Sequence, residues 1–342
     1  MTFKRILVLL MAGLLSACGG QSDSNTKSQV MIYSPHGEEL LSAFEAAFEA
    51  AHPDIDVKWQ DMPTSNCVAR IRAERKTPQA DIWWGGPAAE FIAASKKGLL
   101  ASYKPSWSEL TTDDAKGQDD HWYGTWRTPE VIMYHADRVT GDNIPKDWDD
   151  LLDDQWTGRV IIRDPMQSGT MKTIYGAMVL RAGSEEAGFD WLRKLDRQNA
   201  GKYAATPLIM YQEIKGNAGD VTLWNMPDAF LQRKNGYPFD FVVPSSGTPV
   251  VVEGIAIVNG APNADAAKTF YEFVTSADSL VRQAKDFDRI PVQRSDMDES
   301  QLPEWMTRQP IKAMEIDWPE FSVKSTEWIK KWNNEVRGSG AK

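Results

Sequence analysis

Short β-branched runs alternate with amphipathic helical stretches along this chain, and that alternation limits its fold more than any other feature. Met31-Ile32-Tyr33 reads as a strand; Ser34 then stands where an N-cap belongs, with Pro35 first in the helix and Glu38 and Glu39 in its opening turn. Leu40, Leu41, Phe44, Ala47, Phe48 and Ala51 follow at helical spacing. Ile55, Val57 and Trp59 alternate as a second strand, and a helix is expected over 68–75. A strand over 80–84, broken by Gly85-Gly86-Pro87, precedes a helix that ends at Gly98. The middle of the chain repeats this grammar, with strands over 131–134 and 160–162, a short helix from Trp148, and a helix from Ser168-Gly169-Thr170 towards Arg181. Strands over 221–224, 239–243 and 250–258 follow, then helices over 265–275 and 279–287 and a Trp-rich helical tail packing onto one lobe. Strand–helix alternation of this kind predicts an α/β fold with parallel sheets, and 342 residues suffice for two domains with real cores.

The amino terminus carries a second, independent signal. Lys4 and Arg5 precede a short apolar run over 6–15, the pattern of a secretory signal, and the run is too short to span a bilayer. It ends in Leu15-Ser16-Ala17-Cys18, which resembles the lipobox of bacterial lipoproteins, whose thiol is acylated. Residues 19–28 are then wholly polar, a tether. The expectation is a signal peptide over 1–17, lipidation at Cys18, a flexible tether over 18–29, and a periplasmic or extracytoplasmic protein anchored to the membrane through that lipid.

Composition excludes several classes. Net charge is −10, or −12 once Lys4 and Arg5 leave with the signal, and the remaining cations are scattered, which argues against a nucleic-acid partner. With Cys18 lipidated, Cys67 has no partner for a disulfide and is expected as a small buried hydrophobe. No cofactor is expected, and the protein is expected to be a monomer.

The motif order resembles the extracellular solute-binding proteins of bacterial ABC importers, in the cluster that binds ferric iron, thiamine, polyamines, phosphonates and phosphorylated sugars. The likeness runs through Tyr33-Ser34-Pro35-His36, Ala80-Asp81-Ile82-Trp83-Trp84-Gly85-Gly86, Pro145-Lys146-Asp147-Trp148, Asp164-Pro165-Met166-Gln167-Ser168-Gly169-Thr170 and Glu253-Gly254-Ile255-Ala256-Ile257. It implies a two-lobed periplasmic-binding-protein-like (type II) clamp with two hinge strands. Lobe 1 would comprise 30–126 and 253–295, lobe 2 would comprise 127–252 and 296–342, and the partners would be a small-molecule ligand and a membrane ABC permease.

Ligands of open α/β sheets collect where loops open helices beyond strand ends. The loops at Ser34 and His36, at Gly85-Gly86, and at Ser168-Gly169-Thr170 would aim backbone N–H groups and positive helix ends into a cleft, suited to an oxyanion. Trp84, Trp126 and Trp224 stand near strand ends as stacking candidates, Arg127 and Arg163 as carboxylate or phosphate partners, and Asn225 and Asp228 complete the candidate ligand-binding set. The function so implied is capture of a small organic anion bearing phosphate, phosphonate or carboxylate.

Two alternatives stay open. The first is a ferric-iron-binding protein, although no adjacent Tyr pair occurs and glycine stands where iron-binding relatives place a carboxylate after the Ala80-Asp81 strand. No metal site is expected for that reason. The second is an exported carbohydrate-active hydrolase, for which no catalytic motif is present.

Overall fold

The computed structural model describes residues 27–308 and 311–339, so the signal segment, Cys18 and the tether up to residue 26 lie outside the described residues. The first stretch contains β1 (Ser28–Ser34), α1 (Glu38–Ala51), β2 (Ile55–Asp61), α2 (Thr64–Ala73), β3 (Ile82–Pro87) and α3 (Ala88–Ser95). The middle contains β4 (Tyr123–His135), β5 (Ile162–Arg163), α4 (Gly169–Arg181), α5 (Glu185–Asn199), β6 (Tyr203–Ala204), α6 (Pro207–Lys215), β7 (Val221–Asn225), α7 (Met226–Lys234) and β8 (Phe239–Val242). Then come β9 (Val250–Ile257), α8 (Ala264–Val274), α9 (Ala277–Phe287), α10 (Glu304–Arg308) and α11 (Trp318–Glu335).

Seven strands form an α/β sheet in the order β2-β1-β3-β9-β4-β7, with β8 also on β4, while β5 and β6 pair in parallel as a separate two-stranded sheet. β1 pairs in parallel with β2 and β3, as the alternation predicts, whereas β9 runs antiparallel to both β3 and β4. The reason is that β4 and β9 carry the chain out of one lobe and back. The first half of β4 pairs with β9, from Tyr123–Ile255 to Pro129–Val250, and its second half pairs with β7, from Glu130–Asn225 to Tyr134–Val221. β4 and β9 thus pair with each other along the first half of β4.

Each lobe has its own core. In the first, Trp83 and Trp84 point to opposite faces of β3, as neighbours on a strand must. Trp83 stacks on Phe91 at 3.8 Å, and Trp84 meets Phe44 at 5.8 Å and Trp126 at 5.9 Å. In the second lobe, Ile132, Trp148, Trp156, Tyr175 and Leu192 form the core, and α11 adds Phe321, Trp328 and Trp332 to it. The Trp-rich tail is a helix, as expected, but it does not pack onto one lobe alone: its apolar stripe joins the second-lobe core and α11 also lies against α3 of the first lobe, whose Ala89 shares that core. Cys67 is buried, and burial pushes its thiol up to about 12.

Three local readings differ from the structure. α1 begins at Glu38 behind Gly37, not behind Ser34, because Ser34 stays in the β1 ladder as its last residue. β3 does not break at Gly85 but continues to Pro87 with a shift in register after Trp84. Helices α5, α6 and α7 were not anticipated, although Ser184, Thr206 and Asn225 cap them with side-chain oxygens.

Candidate ligand-binding cleft

Strand parity shapes the cleft. Side chains alternate faces along a strand, so Thr128 and Glu130 of β4 and Val251 and Glu253 of β9 form a floor, while Arg127, Val250 and Val252 face the opposite side, towards residues 313–318. The Thr128 hydroxyl ties the two floor strands together by donating to Glu253 Oε1 at 2.6 Å. One wall is built from Pro35, His36, Thr64, Gly86, Pro87 and Arg289; the other from Gly169, Thr170 and Thr173 of α4 with Asn225 and Asp228 at the start of α7. The enclosed volume is about 260 Å³, below the roughly 300–1,000 Å³ of drug-sized sites. The cleft suits a small solute.

Two helices open onto it. Ser168 caps α4, its hydroxyl accepting from the Met171 amide at 3.2 Å, while the Gly169 and Thr170 amides make no hydrogen bond among the described residues. Unsatisfied amides at a helix start carry partial positive charge and take an anion readily. α7 is already answered. Asn225 accepts from the Asp228 amide at 2.9 Å, and the Asp228 carboxylate accepts from Asn225 Nδ2 at 3.1 Å and from Trp224 Nε1 at 3.2 Å.

The charged groups are arranged unevenly. Arg289 places its guanidinium 5.0 Å from the Trp126 ring; its buried Nε has no hydrogen-bond partner, and it makes no ion pair among the described residues. Glu130 is buried with Oε2 unpartnered, and burial first, then the charges of Glu253 and Asp228, hold its carboxyl well above the usual range. The His36 ring lies 4.2 Å from Trp126 and 5.6 Å from Trp84, and burial, reinforced by Arg289, holds its imidazole well below the ordinary value. It is a neutral ring at neutral pH. Gly85 makes room for it: a Cβ there would lie 2.1 Å from His36 Nε2.

Of the residues singled out in the sequence, His36, Gly86, Gly169, Thr170, Asn225 and Asp228 line the cleft together, and Ser168 lies on the adjoining rim with Thr64, Glu90 and Lys172. The others are placed elsewhere. Ser34 is buried and its hydroxyl accepts from the His36 amide at 3.3 Å, so it shapes the loop. Gly85 serves the His36 ring. Trp84, Trp126 and Trp224 are core side chains under the cleft wall, with Trp126 Nε1 donating to Gln283 and Trp224 Nε1 to Asp228. Arg127 falls on the wrong face of β4, and Arg163 is buried in the second lobe, donating to the Ala204 carbonyl at 3.3 Å. The sequence reading missed Thr64, Thr128, Glu130, Thr173, Glu253 and Arg289. Alternation through the two hinge strands was the available signal for Thr128, Glu130 and Glu253. Arg289 follows α9 in no recognisable motif.

A family model described as bacterial extracellular solute-binding protein matches residues 43–314. The chain belongs to this family. Among the relatives of this solute-binding protein is the Sinorhizobium fredii protein named probable ABC transporter periplasmic-binding protein, 28% identical over 90% of this chain and 86% of its own length. The fold matches that of the periplasmic binding protein AfuA from Actinobacillus pleuropneumoniae with fructose-6-phosphate bound, at TM-score 0.78 and 22% identity over 91% of this chain and 99% of the other. It matches the ferric binding protein from Campylobacter jejuni at the same TM-score, 0.78, with 18% identity over 89% and 98% of the two chains. The fold is therefore the two-lobed, type II periplasmic-binding-protein architecture, and the protein binds a solute rather than catalysing a reaction. The hydrolase alternative falls with that membership. Solved neighbours with such different ligands leave the choice of solute to the cleft itself.

Proposed function

We propose that this solute-binding protein captures a small organic anion bearing phosphate, phosphonate or carboxylate between its lobes and delivers it to the permease of an ABC importer. The observation that carries the anion is Arg289, a cleft guanidinium with no carboxylate partner in a chain of net charge −10. The Gly169 and Thr170 amides and the Thr64, Thr170 and Thr173 hydroxyls supply neutral donors from both lobes. Local donors decide a desolvated site, while the acidic surface is screened beyond about 8 Å at physiological salt. The ABC importer role follows from the family and from the name of the Sinorhizobium relative. Lobe boundaries at 126/127 and 252/253, return of the chain to lobe 2 at 296, a monomeric state, and periplasmic anchoring through lipid on Cys18 belong to the same proposal.

The ferric-iron alternative has less support. Hard ferric ion wants several anionic oxygens, yet no tyrosine lines the cleft, and no three His, Cys, Asp or Glu side chains among the described residues converge on one point.

A thermal-shift screen of phosphorylated sugars, phosphonates, carboxylates, polyamines, thiamine and ferric citrate tests the reading. A ligand at 100 times its dissociation constant adds about 2.7 kcal/mol of stability. Arg289→Gln is expected to weaken the stabilising anion about ten-fold or more, because a charge-assisted hydrogen bond is lost. Stabilisation by ferric ion with a tyrosinate colour, and by no anion, would refute it.

A further inference from the structure

The cleft has a second pole, and nothing assigned so far uses it. Glu130 stands on the floor, 1% exposed, with Oε2 unpartnered. Glu253 lies on the same floor, from the neighbouring strand, and Asp228 lies on the adjacent wall. A carboxyl desolvated beside two further carboxylates is an arrangement that folding alone opposes: an unpaired buried polar group is costly, and like charges repel. No internal cation relieves it, since Glu130, Glu253 and Asp228 make no ion pair with any Lys or Arg among the described residues. Glu253 and Asp228 instead accept from neutral donors, Thr128 for Glu253 and Asn225 and Trp224 for Asp228.

We propose that Glu130 receives an ammonium group, with Glu253 and Asp228 adding negative charge around the same cleft, so that the solute is a zwitterion whose oxyanion meets Arg289 and the start of α4 while its amine is held at the floor. This rests on the anion reading above and adds the opposite charge to it. Both poles open into one volume of about 260 Å³, so a short chain must join the two charges. An ammonium offers three donors and a positive charge to the desolvated Glu130 carboxylate, and its charge offsets the repulsion that Glu253 and Asp228 exert on that group. Selectivity follows from the same cost: a solute without the amine leaves Glu130 unpartnered in the closed cleft.

Pairs of probes that differ only in the amine test this with the full mature protein. Binding of 2-aminoethylphosphonate and ethylphosphonate, and of β-alanine and propionate, is measured by titration calorimetry, with putrescine as an amine-only control. The amino member of at least one pair is expected to bind about 10- to 100-fold more tightly, the range of a charge-assisted hydrogen bond. Glu130→Gln is expected to collapse that ratio to within about three-fold while the amine-free anion keeps its affinity; Asp228→Asn narrows it less. Thermal melts confirm that the variants are folded. Equal affinity within both pairs, or no binding by any of the four anions, overturns the ammonium pole, and in the first case the anion reading stands. Tight binding of putrescine with no binding of either phosphonate or either carboxylate overturns both. An unchanged ratio in a folded Glu130→Gln variant removes Glu130 from the assignment.

Discussion

Gly85→Ala isolates the contact that brings His36 to the cleft. Gly85 has φ +107°, and a Cβ added there would lie 2.1 Å from His36 Nε2 and 2.4 Å from Cε1. Two costs combine. Holding an L-residue in that backbone region costs about 1–3 kcal/mol, and overpacking a buried contact costs about 1–3 kcal/mol more. The imidazole has little room to retreat, since Trp126 lies 4.2 Å and Trp84 5.6 Å from it, ring to ring. A loss of roughly 2–6 kcal/mol is therefore expected in urea unfolding followed by circular dichroism. Gly37→Ala is the control, because φ is +82° there but no atom lies within 4 Å of the added Cβ. It is expected to cost the backbone strain alone. Combining Gly85→Ala with His36→Ala removes the clash, so the cost of the alanine at 85 is expected to fall by roughly 1–3 kcal/mol in that background. A coupling within about 0.5 kcal/mol of zero, or a Gly85→Ala loss no larger than the Gly37→Ala loss, would show that the ring is not wedged against this glycine.

Two further outcomes are expected elsewhere. Asp220 is buried between Arg138 and Arg159, and despite the opposing effect of burial their hydrogen bonds hold its carboxyl below the ordinary 3.8. Its stabilisation is complete above that value and is lost as pH falls through the native one; Asp220→Asn is expected to cost about 2 kcal/mol at pH 7 and less in acid, and equal losses at pH 7 and pH 3 in denaturant unfolding would contradict this. Lys172 and Glu90 form a 2.9 Å ion pair that links α4 to α3 across the rim. A partly exposed pair contributes about 0.2–1 kcal/mol, so Lys172→Ala is expected to lower the closed-to-open ratio by up to about five-fold; an unchanged scattering profile at low salt would remove this pair as a latch.

Much of the frame is legible along the chain because it depends on local rules. β1, β2, α4, β7, β8, β9 and α9 announce themselves through alternation, helical spacing or a capping residue, and the loop before α4 shows its free amides through Ser168-Gly169-Thr170. Family resemblance adds the clamp. The site is only half legible. His36, Gly86, Gly169, Thr170, Asn225 and Asp228 stand in loops beside strand or helix ends, where a reader looks for ligands. Glu130 and Glu253 stand inside strands, where a charged residue carries no motif, and Arg289 follows a helix whose place is set by packing.

What the chain by itself determined is most of the elements and their α/β alternation, because periodicity and caps act over a few residues; the two-lobed clamp was implied by the family resemblance. Which side chains share the cleft was decided only by tertiary structure. The parity of β4 and β9 turns Glu130 and Glu253 to the cleft and Arg127 away from it, and that parity depends on the register of strands joined by 114 residues of intervening chain, Glu253 being paired with Trp126 one residue after a register shift at Gly124–Trp126. The same long-range packing buries Trp84, Trp126 and Trp224 as core and brings Arg289, from the far end of the chain, to face the opening of α4. Side-chain direction in a strand changes with every single-residue slip, so contacts across such distances in sequence are fixed by the assembled sheet and not by any local pattern.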